Sequence, residues 1–406
     1  MLSRKAKHSK PKTLTIRELQ LINKTSHWRI LGINLFTYYN NCMVKSAYIH
    51  IPFCKSKCHY CSFVSFNKLE LKDSYIKALL QEIDYYYKGE LLNTIYLGGG
   101  TPSILSVKDF AKILKKFKPD HYAEITTELN PEGVNYDYLR ELFDLGINRI
   151  SLGCQTFDDK LLKQINRRHN AQQVIESVKI AQNAGFENIS LDFIYGLPNQ
   201  TPEMFYSDLK QAIDLGVQHI SLYGLKIEEG CFFYNHMPQN LPDDDIQADM
   251  YLGAIKLLTN QGFEHYEVSN FSRPNYNSRH NLNYWNNEEY YGFGVSAHGY
   301  TNGIRYGNIE TIEQYIKNPI KHQEEKLLTT QEKLEEEIFL GFRKMKGIMV
   351  SKINHKYNID FDQKYKSILN KYEKLKLIQK TDGGYSLTPN GILVSNVILA
   401  DFLEDK

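Results

Sequence analysis

Residues 47–63 read AYIHIPFCKSKCHYCSF and bring three cysteines together within eight residues, directly after an apolar run that is typical of a buried strand. The full chain has six cysteines, so half of them lie in this segment. Cys54, Cys58 and Cys61 form the pattern C-x3-C-x2-C, and Pro52 restricts the backbone just ahead of it. The spacing indicates a loop that holds a metal centre or a reactive thiol pair.

Three kinds of site compete for these thiols. A structural zinc site needs a fourth ligand, and His59 would have to point away from its neighbours Cys58 and Tyr60 to supply it. A redox pair of Cys58 and Cys61 fits the C-x2-C spacing but leaves Cys54 without a role. An iron–sulfur cluster uses all three thiolates and leaves one iron of a [4Fe–4S] cube open for another ligand, so we favour the cluster.

Short apolar runs alternate with amphipathic stretches six times between residues 46 and 225. The predicted strands are residues 46–51, 94–97, 123–129, 149–153, 188–194 and 219–225. Strands that are covered on both faces are apolar throughout, and a 3.6-residue apolar period in residues 72–87 is typical of the helices between them. The pattern predicts an α/β fold, a partial (β/α)6 barrel of parallel strands.

The sequence changes character on both sides of this barrel. Residues 229–328 are rich in loops and aromatic side chains, and residues 329–406 contain two predicted helices and a hairpin signal at Asp382-Gly383, which suggest a small winged-helix-like module. Mixed charges disfavour DNA binding by this module, so we expect a packing or partner-binding role. The predicted divisions are residues 1–42 as an N-terminal extension, 43–228 as the barrel, 229–328 as an α+β extension and 329–406 as the module. The first 42 residues are either a disordered appendage or the product of a start placed upstream of the true one.

The bulk composition excludes several function classes. The 406 residues include 49 basic and 47 acidic side chains, a formal charge of +2, so no global field favours nucleic acid or an anionic membrane. No apolar run approaches the roughly 20 residues that a membrane helix requires. The basic first residues lack the features of a secretory signal, and we expect a cytoplasmic protein. In a reducing cytosol, clustered cysteines are metal ligands or redox thiols more often than disulfides.

Two motifs together resemble the radical S-adenosylmethionine superfamily. They are CKSKCHYC at residues 54–61 and YLGGGTP at residues 96–102, a glycine-rich turn after the second predicted strand. The resemblance implies that S-adenosylmethionine chelates the open iron through its amino and carboxylate groups. It also implies that an electron from the cluster splits the sulfonium to give a 5′-deoxyadenosyl radical. The protein would then place and tune the cofactor.

Polar residues near the ends of later strands agree with a bound polar ligand. Glu128, Gln155 and Asp192 fall at or near carboxyl ends, where α/β barrels bind ligands, and each buried carboxylate needs a partner. Structural pairing would explain any one of them alone. The resemblance to the anaerobic coproporphyrinogen oxidase-like branch implies that the cofactor pocket comprises Tyr48, Tyr60, Gly99, Gly100, Thr101, Glu128, Gln155, Arg167 and Asp192.

This branch contains dehydrogenases that decarboxylate coproporphyrinogen III and chaperones that carry haem. The dehydrogenases have a further cysteine as C-x-C, whereas Ser62 and Phe63 follow Cys61 here. HNLNYW, residues 280–285, has the H-N-x-x-Y-W form of the chaperones. His280 offers an imidazole for haem iron, and Tyr284 and Trp285 offer flat apolar faces for a porphyrin. We therefore expect a haem chaperone without dehydrogenase activity, with the oxygen-independent coproporphyrinogen III dehydrogenase as the alternative.

The remaining expectations concern partners and single residues. The resemblance implies haem-accepting partners such as respiratory oxidoreductases, and an electron donor if S-adenosylmethionine is cleaved. We expect no nucleic-acid partner, and membrane association through partners alone. His298 is a second histidine candidate, for which we favour a structural hydrogen bond. We assign no role to Cys154 or Cys231, since buried free cysteine commonly behaves as a small hydrophobe, and no residue receives a catalytic role.

Overall fold

A computed structural model describes residues 44–403, so the predicted extension of residues 1–42 lies outside the described residues. Six parallel strands follow one another in the sheet in chain order. They are β1 (Ser46–Ile51), β2 (Leu91–Gly99), β3 (Lys118–Leu129), β4 (Arg149–Gln155), β5 (Ile189–Tyr195) and β6 (His219–Gly224). The predicted α/β barrel of parallel strands is thus confirmed.

Strands β2 and β3 are longer than their apolar runs. Both begin earlier than predicted, because Leu91 and Leu92 pair with Lys118 and Pro119 before the apolar segments start. The first residues of β3 are largely exposed and polar, so they carry no strand-like apolar pattern. These added residues lengthen β2 and β3 at the end of the sheet opposite the cysteine loop.

Helices connect the strands on the outside of the sheet. They are α1 (Lys72–Tyr86), α2 (Val107–Leu114), α3 (Tyr136–Asp144), α4 (Asp159–Gln164), α5 (Ala171–Ala184) and α6 (Pro202–Asp214), with short 3-10 turns at Leu69–Leu71 and Pro102–Ile104. In α1 the apolar period buries Tyr75, Ile76 and Leu79 against the sheet. Ser106 begins α2 with a capping box to Asp109, which satisfies backbone donors that the helix itself leaves unpaired.

The aromatic segment after the barrel adds strands to both edges of the sheet. Strands β7 (Glu264–Glu267) and β8 (Asn270–Ser272) extend it antiparallel beyond β6, whereas β9 (Tyr291–Phe293) pairs parallel with β1. The nine strands run in the order β7-β8-β6-β5-β4-β3-β2-β1-β9. A separate antiparallel sheet contains β10 (His298–Thr301), β11 (Ile304–Asn308) and β12 (His322–Leu327). The helices of this segment are α7 (Phe232–Asn235), α8 (Asp244–Asn260), α9 (Arg279–Trp285) and α10 (Ile312–Lys317).

The last part of the chain packs around its own apolar cluster. Its helices are α11 (Thr330–Gly341), α12 (Val350–Tyr357), α13 (Phe361–Lys364), α14 (Lys366–Lys374), α15 (Pro389–Leu393) and α16 (Ser395–Ala400), and its strands are β13 (Ile348–Met349), β14 (Ile378–Thr381) and β15 (Gly384–Leu387). Strands β14 and β15 form the hairpin expected at Asp382-Gly383, where Gly383 has a φ of 89°. Phe342, Phe361 and Phe402 meet in the cluster. None of the helices between residues 44 and 403 combines the length and apolar composition that a bilayer crossing requires.

Candidate functional site

The three cysteines lie in a closed loop that leaves the carboxyl end of β1. Backbone hydrogen bonds close its base: Cys54 N donates to Phe66 O at 2.9 Å, and Phe66 N donates to Pro52 O at 2.6 Å. The side chain of His50 on β1 bonds the carbonyl of Val64 at 2.9 Å. These bonds fix the loop to the strand, so the position of the thiols follows from the barrel.

All three loop cysteines are half-buried free thiols. Burial raises the pKa of Cys54, and it raises that of Cys61 to about 11, with the neighbouring thiols adding to the shift. Arg167 approaches Cys58 Sγ through Nη1 at 3.5 Å. The raised pKa values favour the protonated thiols. A bound metal reverses that preference, because a thiol that coordinates a metal is deprotonated outright.

The thiol set fits a cluster better than a single ion. Among residues 44–403, no three His, Cys, Asp or Glu side chains surround one position for a metal ion. A cubane cluster needs a wider arrangement, because each thiolate binds a different iron. Cys54, Cys58 and Cys61 sit on one loop, and His59 bonds Gln164 O at 2.9 Å instead of offering a fourth ligand.

The glycine turn packs directly against the cysteine loop. Gly99 has a φ of 114°, which favours glycine, and a Cβ on Gly100 would lie 2.8 Å from Phe53 O. The Glu128 carboxylate accepts hydrogen bonds from Gly99 N at 3.0 Å and from Tyr96 Oη at 2.8 Å. The turn is therefore held from the loop side by close packing and from the barrel side by a carboxylate.

A cleft of about 80 Å³ opens between the loop and the strand ends. Cys58, Thr101 and Arg167 line it, as does Asn130, which follows β3 and was not singled out from the sequence. Asn130 donates to Thr101 Oγ1 at 3.1 Å and accepts from Arg167 Nη2 at 2.8 Å. The sequence signal that could have identified Asn130 is its position directly after β3, the strand that carries Glu128.

The polar atoms of this cleft suit a ligand with a carboxylate. Arg167 Nη2 also bonds Gly153 O at 2.8 Å, but its Nε is buried without a hydrogen-bond partner. Thr101 Oγ1 lies 3.4 Å from Cys54 Sγ, so the cleft borders the thiols. A buried donor without a partner calls for an explanation, and the carboxylate of an amino-acid-like ligand would provide one.

The other predicted pocket residues do not line this cleft. Asp192 accepts from Ser151 Oγ at 3.0 Å, and burial raises its pKa although hydrogen bonds oppose the shift. Gln155 is buried at the end of β4 with a φ of 68°. Tyr48 bonds His50 Nδ1 through its hydroxyl at 3.0 Å. Tyr60 lies beside the thiols, where burial raises its pKa.

The HNLNYW segment forms helix α9, whose amino end docks on a barrel strand. Ser278 caps the helix through Asn281 N, and Glu124 on β3 accepts from the backbone N–H groups of Arg279 and His280, both at 3.0 Å. A carboxylate at a helix amino terminus complements the helix dipole. Glu124 thus places the helix against the inside of the barrel.

His280 lies inside the protein, with 1% of its surface exposed. Its Nδ1 is 2.7 Å from Thr94 Oγ1, its Nε2 is 2.8 Å from Tyr284 Oη, and its ring stacks on Tyr96 with centroids 5.1 Å apart. Burial lowers its pKa to about 3, and the charge of Arg149 adds to the shift, so the imidazole is neutral. Both ring nitrogens are engaged in this arrangement.

Tyr284 and Trp285, in contrast, line a groove of about 570 Å³ between α9, the β11–β12 sheet and α11. Phe339 and Leu403 add apolar surface, with 37% and 49% of their surfaces exposed. Trp285 Nε1 is buried without a hydrogen-bond partner. These groove residues come from distant parts of the sequence, and no local pattern singles out Phe339 or Leu403.

The structure also places the other single residues considered from the sequence, which are His298, Cys154 and Cys231. His298 is exposed at the start of β10, beside Gly307 of β11. Cys154 and Cys231 are fully buried within apolar clusters, as expected for small hydrophobic side chains.

Comparisons with known proteins agree with this geometry. The family model for the radical SAM superfamily matches residues 48–212, and that for the HemN C-terminal domain matches residues 328–394. The structure of coproporphyrinogen III oxidase (HemN) from Escherichia coli superposes with a TM-score of 0.78 at 23% identity, covering 95% of this chain and 98% of that one, which shows a shared fold.

Sequence comparison identifies the family. The heme chaperone HemW of Lactococcus lactis is 40% identical over 370 residues, 89% of this chain and 97% of that protein. The heme chaperone HemW of Bacillus subtilis is 38% identical over 376 residues, 89% of this chain and 99% of that protein. These matches confirm the resemblance that the cysteine and glycine motifs suggested. The chain therefore belongs to the HemW family within the radical S-adenosylmethionine superfamily.

Proposed function

We propose that this protein is a haem chaperone that binds haem and delivers it to recipient proteins. The relatives named heme chaperone HemW match this chain over nearly their whole length. The observation that carries the proposal is the groove beside α9, which presents Tyr284 and Trp285 of the HNLNYW segment to solvent-accessible space. Its volume of about 570 Å³ is in the range of small-molecule sites, roughly 300–1,000 Å³.

The lining of the groove suits a flat, largely apolar ligand with charged edges. Trp285, Phe339 and Leu403 supply apolar surface for the faces of a porphyrin. Six charged side chains also line the groove: two cations, Arg305 and Lys326, and four carboxylates, Glu288, Glu332, Glu335 and Glu336. Arg305 forms an ion pair with Glu336, and Lys326 forms one with Glu332. Burying the exposed apolar groups against a porphyrin would provide the binding free energy.

The superfamily implies a [4Fe–4S] cluster and S-adenosylmethionine, and the residues of the loop and cleft fit both. Cys54, Cys58 and Cys61 would hold the cluster, while Arg167 and Thr101 would face the amino-acid part of the cofactor. When bound, the cluster supplies an electron at the sulfonium of S-adenosylmethionine. The protein's own residues position the ligand and shield it: Arg167 offers donors, and Glu128 holds the glycine turn.

The cysteine loop also favours the chaperone function over the dehydrogenase alternative. The position two residues after Cys61 is Phe63, with 69% of its surface exposed, so no thiol stands there. Ser62 donates to Glu228 at 2.9 Å. The further cysteine that the resemblance implies for the dehydrogenases is replaced by an apolar side chain.

A haem titration of the full chain tests the proposal. We expect stoichiometric haem binding, transfer to an apo-form haem protein, and no decarboxylation of coproporphyrinogen. Trp285→Ala should weaken haem affinity by roughly 1–3 kcal/mol through lost apolar contact. Absorption spectroscopy measures the binding, and recovery of the acceptor's haem spectrum measures the transfer.

A matched control is Leu375→Ala, which removes an exposed apolar side chain of the C-terminal module that does not line the groove. This variant should bind haem like the unmodified protein. Robust decarboxylation of coproporphyrinogen, or haem binding that Trp285→Ala and Leu375→Ala weaken equally, would contradict the proposal.

A further inference from the structure

The chemistry of haem binding depends on which atom reaches the iron, and the structure restricts the choice. His280 is the histidine of the HNLNYW segment, yet its two ring nitrogens lie 2.7 Å from Thr94 Oγ1 and 2.8 Å from Tyr284 Oη. A neutral imidazole has one donor and one acceptor nitrogen, and two hydroxyl groups satisfy both. To bind iron, the ring would have to give up a hydrogen bond and leave a buried stack on Tyr96.

The geometry of His280 is that of a bridge between two elements. Thr94 belongs to β2 of the barrel, and Tyr284 belongs to α9 and lines the groove. The imidazole thereby ties the groove wall to the strand that carries the glycine turn. Such a bond orients the helix that presents Tyr284 and Trp285.

The side chains that line the groove include no histidine, cysteine or methionine within the described part of the chain. Its candidate iron donors are therefore oxygens. Tyr284 Oη is engaged with His280, whereas the phenol of Tyr290 lines the groove and packs edge-on against Tyr284, with ring centroids 4.6 Å apart. Tyrosine is an established axial ligand of haem iron.

A cation stands beside the Tyr290 oxygen. Arg305 Nη1 donates to Tyr290 Oη at 3.4 Å, while Nη2 of the same guanidinium bonds Glu336 at 2.8 Å and Asn287 at 2.9 Å. Burial raises the pKa of Tyr290, and Arg305 opposes that shift. A metal ion bound to the phenol oxygen would lower this pKa more strongly than Arg305 does. The guanidinium is already placed to stabilise the phenolate.

We propose that the phenol oxygen of Tyr290 binds the haem iron and that His280 instead positions α9 against the barrel. This inference rests on the proposed haem chaperone function. On binding, the Tyr290 O–H bond breaks, its proton passes to solvent, and an oxygen–iron bond forms with ferric haem. The oxidation state of the iron does not change.

Spectroscopy of the full chain titrated with ferric haem tests the assignment. We expect the unmodified protein to show a phenolate-to-iron charge-transfer band and a phenolate vibration in resonance Raman spectra. Tyr290→Phe should lose both and bind haem more weakly by about tenfold or more, as perturbed metal sites commonly do. Tyr290→His should restore ligation with an imidazole-type spectrum.

Two further variants separate ligation from positioning. His280→Gln should keep the phenolate signals while lowering affinity, and Thr94→Val should reproduce that effect because it removes the same bridge. Tyr300→Phe is the matched control, since Arg305 lies 4.1 Å from the Tyr300 ring centroid but Tyr300 does not line the groove. It should leave the spectrum unchanged.

The outcomes distinguish this inference from the function on which it rests. An imidazole-type spectrum in the unmodified protein that His280→Gln abolishes would overturn the inference alone, as would phenolate signals that survive in Tyr290→Phe. A chain that binds no haem would overturn both. Circular dichroism of each variant shows whether the fold is retained.

Discussion

Glu128 joins the glycine turn to the barrel interior and lies beside the proposed cofactor pocket. Burial raises its pKa to about 7, against the hydrogen bonds from Tyr96 and Gly99. Below that pH the carboxyl is protonated and loses the negative charge that favours the cationic cofactor. We expect S-adenosylmethionine affinity, measured by its perturbation of the cluster's electron paramagnetic resonance signal, to fall as pH drops below about 7. Glu128→Gln should bind about tenfold or more weakly and lose this pH dependence, since a hydrogen bond to a charged group contributes ~1.5–3 kcal/mol.

Tyr96→Phe is the matched variant for this prediction. It removes one donor to Glu128 but keeps the charge and the ring stacked on Tyr48 and His280. The pH dependence should therefore remain, with a smaller loss of affinity. Cys58→Ala should lose the cluster and provides the baseline. A cofactor response in Glu128→Gln that matches the unmodified protein at every pH would contradict the assignment.

Helix α9 depends on a carboxylate from another element for its placement. Glu124 on β3 accepts from the first backbone N–H groups of the helix, those of Arg279 and His280. Glu124→Gln keeps the size of the side chain but replaces one acceptor by a donor and removes the charge. Because such cap and dipole interactions contribute ~0.5–2 kcal/mol, we expect haem affinity to fall by roughly 2–30-fold while the cluster is retained. A haem titration with iron analysis measures both.

Ser106→Ala controls for the general cost of losing a helix cap. Ser106 caps α2 on the outside of the barrel, away from the groove. The variant should lose about 1 kcal/mol of stability and keep its haem affinity. Equal loss of haem affinity in the two variants would show that global destabilisation, and not the placement of α9, is responsible.

A buried carboxylate on α1 joins two parts of the molecule, the barrel and the aromatic extension. Glu82 accepts hydrogen bonds from Tyr315 on α10, from Gly294 N at 2.8 Å and from Asn308 at 2.6 Å. These partners belong to the aromatic extension, so the bonds tie it to the barrel. Glu82→Leu would leave the Tyr315 hydroxyl and the Gly294 N–H unpaired, at ~1–3 kcal/mol each, whereas Asn308 keeps its bond to Gly294 O. We expect the free energy of unfolding, measured with denaturant, to fall by several kcal/mol.

The pH dependence of stability identifies the same group. Burial raises the pKa of Glu82 from 4.5 to about 7, so the folded state holds its proton longer than the unfolded state. The contribution of Glu82 to stability is full below pH 4.5 and declines as pH rises through about 7, a trend that Glu82→Leu should lack. Asp84→Ala, an exposed change on the same helix, should cost ~1 kcal/mol or less. An equal loss in both variants would contradict the role of Glu82.

Local patterns in the sequence predicted the barrel and the cysteine loop. Apolar runs, helix periods and the glycine-rich turn after β2 are all visible within a few neighbouring residues. The close spacing of Cys54, Cys58 and Cys61 likewise places the three thiols on one loop. The same patterns missed β7, β8 and β9. These strands have three or four residues each, and their pairing with distant edges, not their own composition, makes them strands.

The sequence by itself thus determined the parallel fold and the thiol loop, because short-range periodicity and spacing encode them. Only the tertiary structure decided that Asn130 bridges Thr101 to Arg167, and that Trp285, Phe339 and Leu403 form one groove. It also decided that both nitrogens of His280 meet hydroxyl groups inside the barrel. Residue type shows what an imidazole can bind, but the packing of α9 against β2 and β3 determines which atoms it reaches.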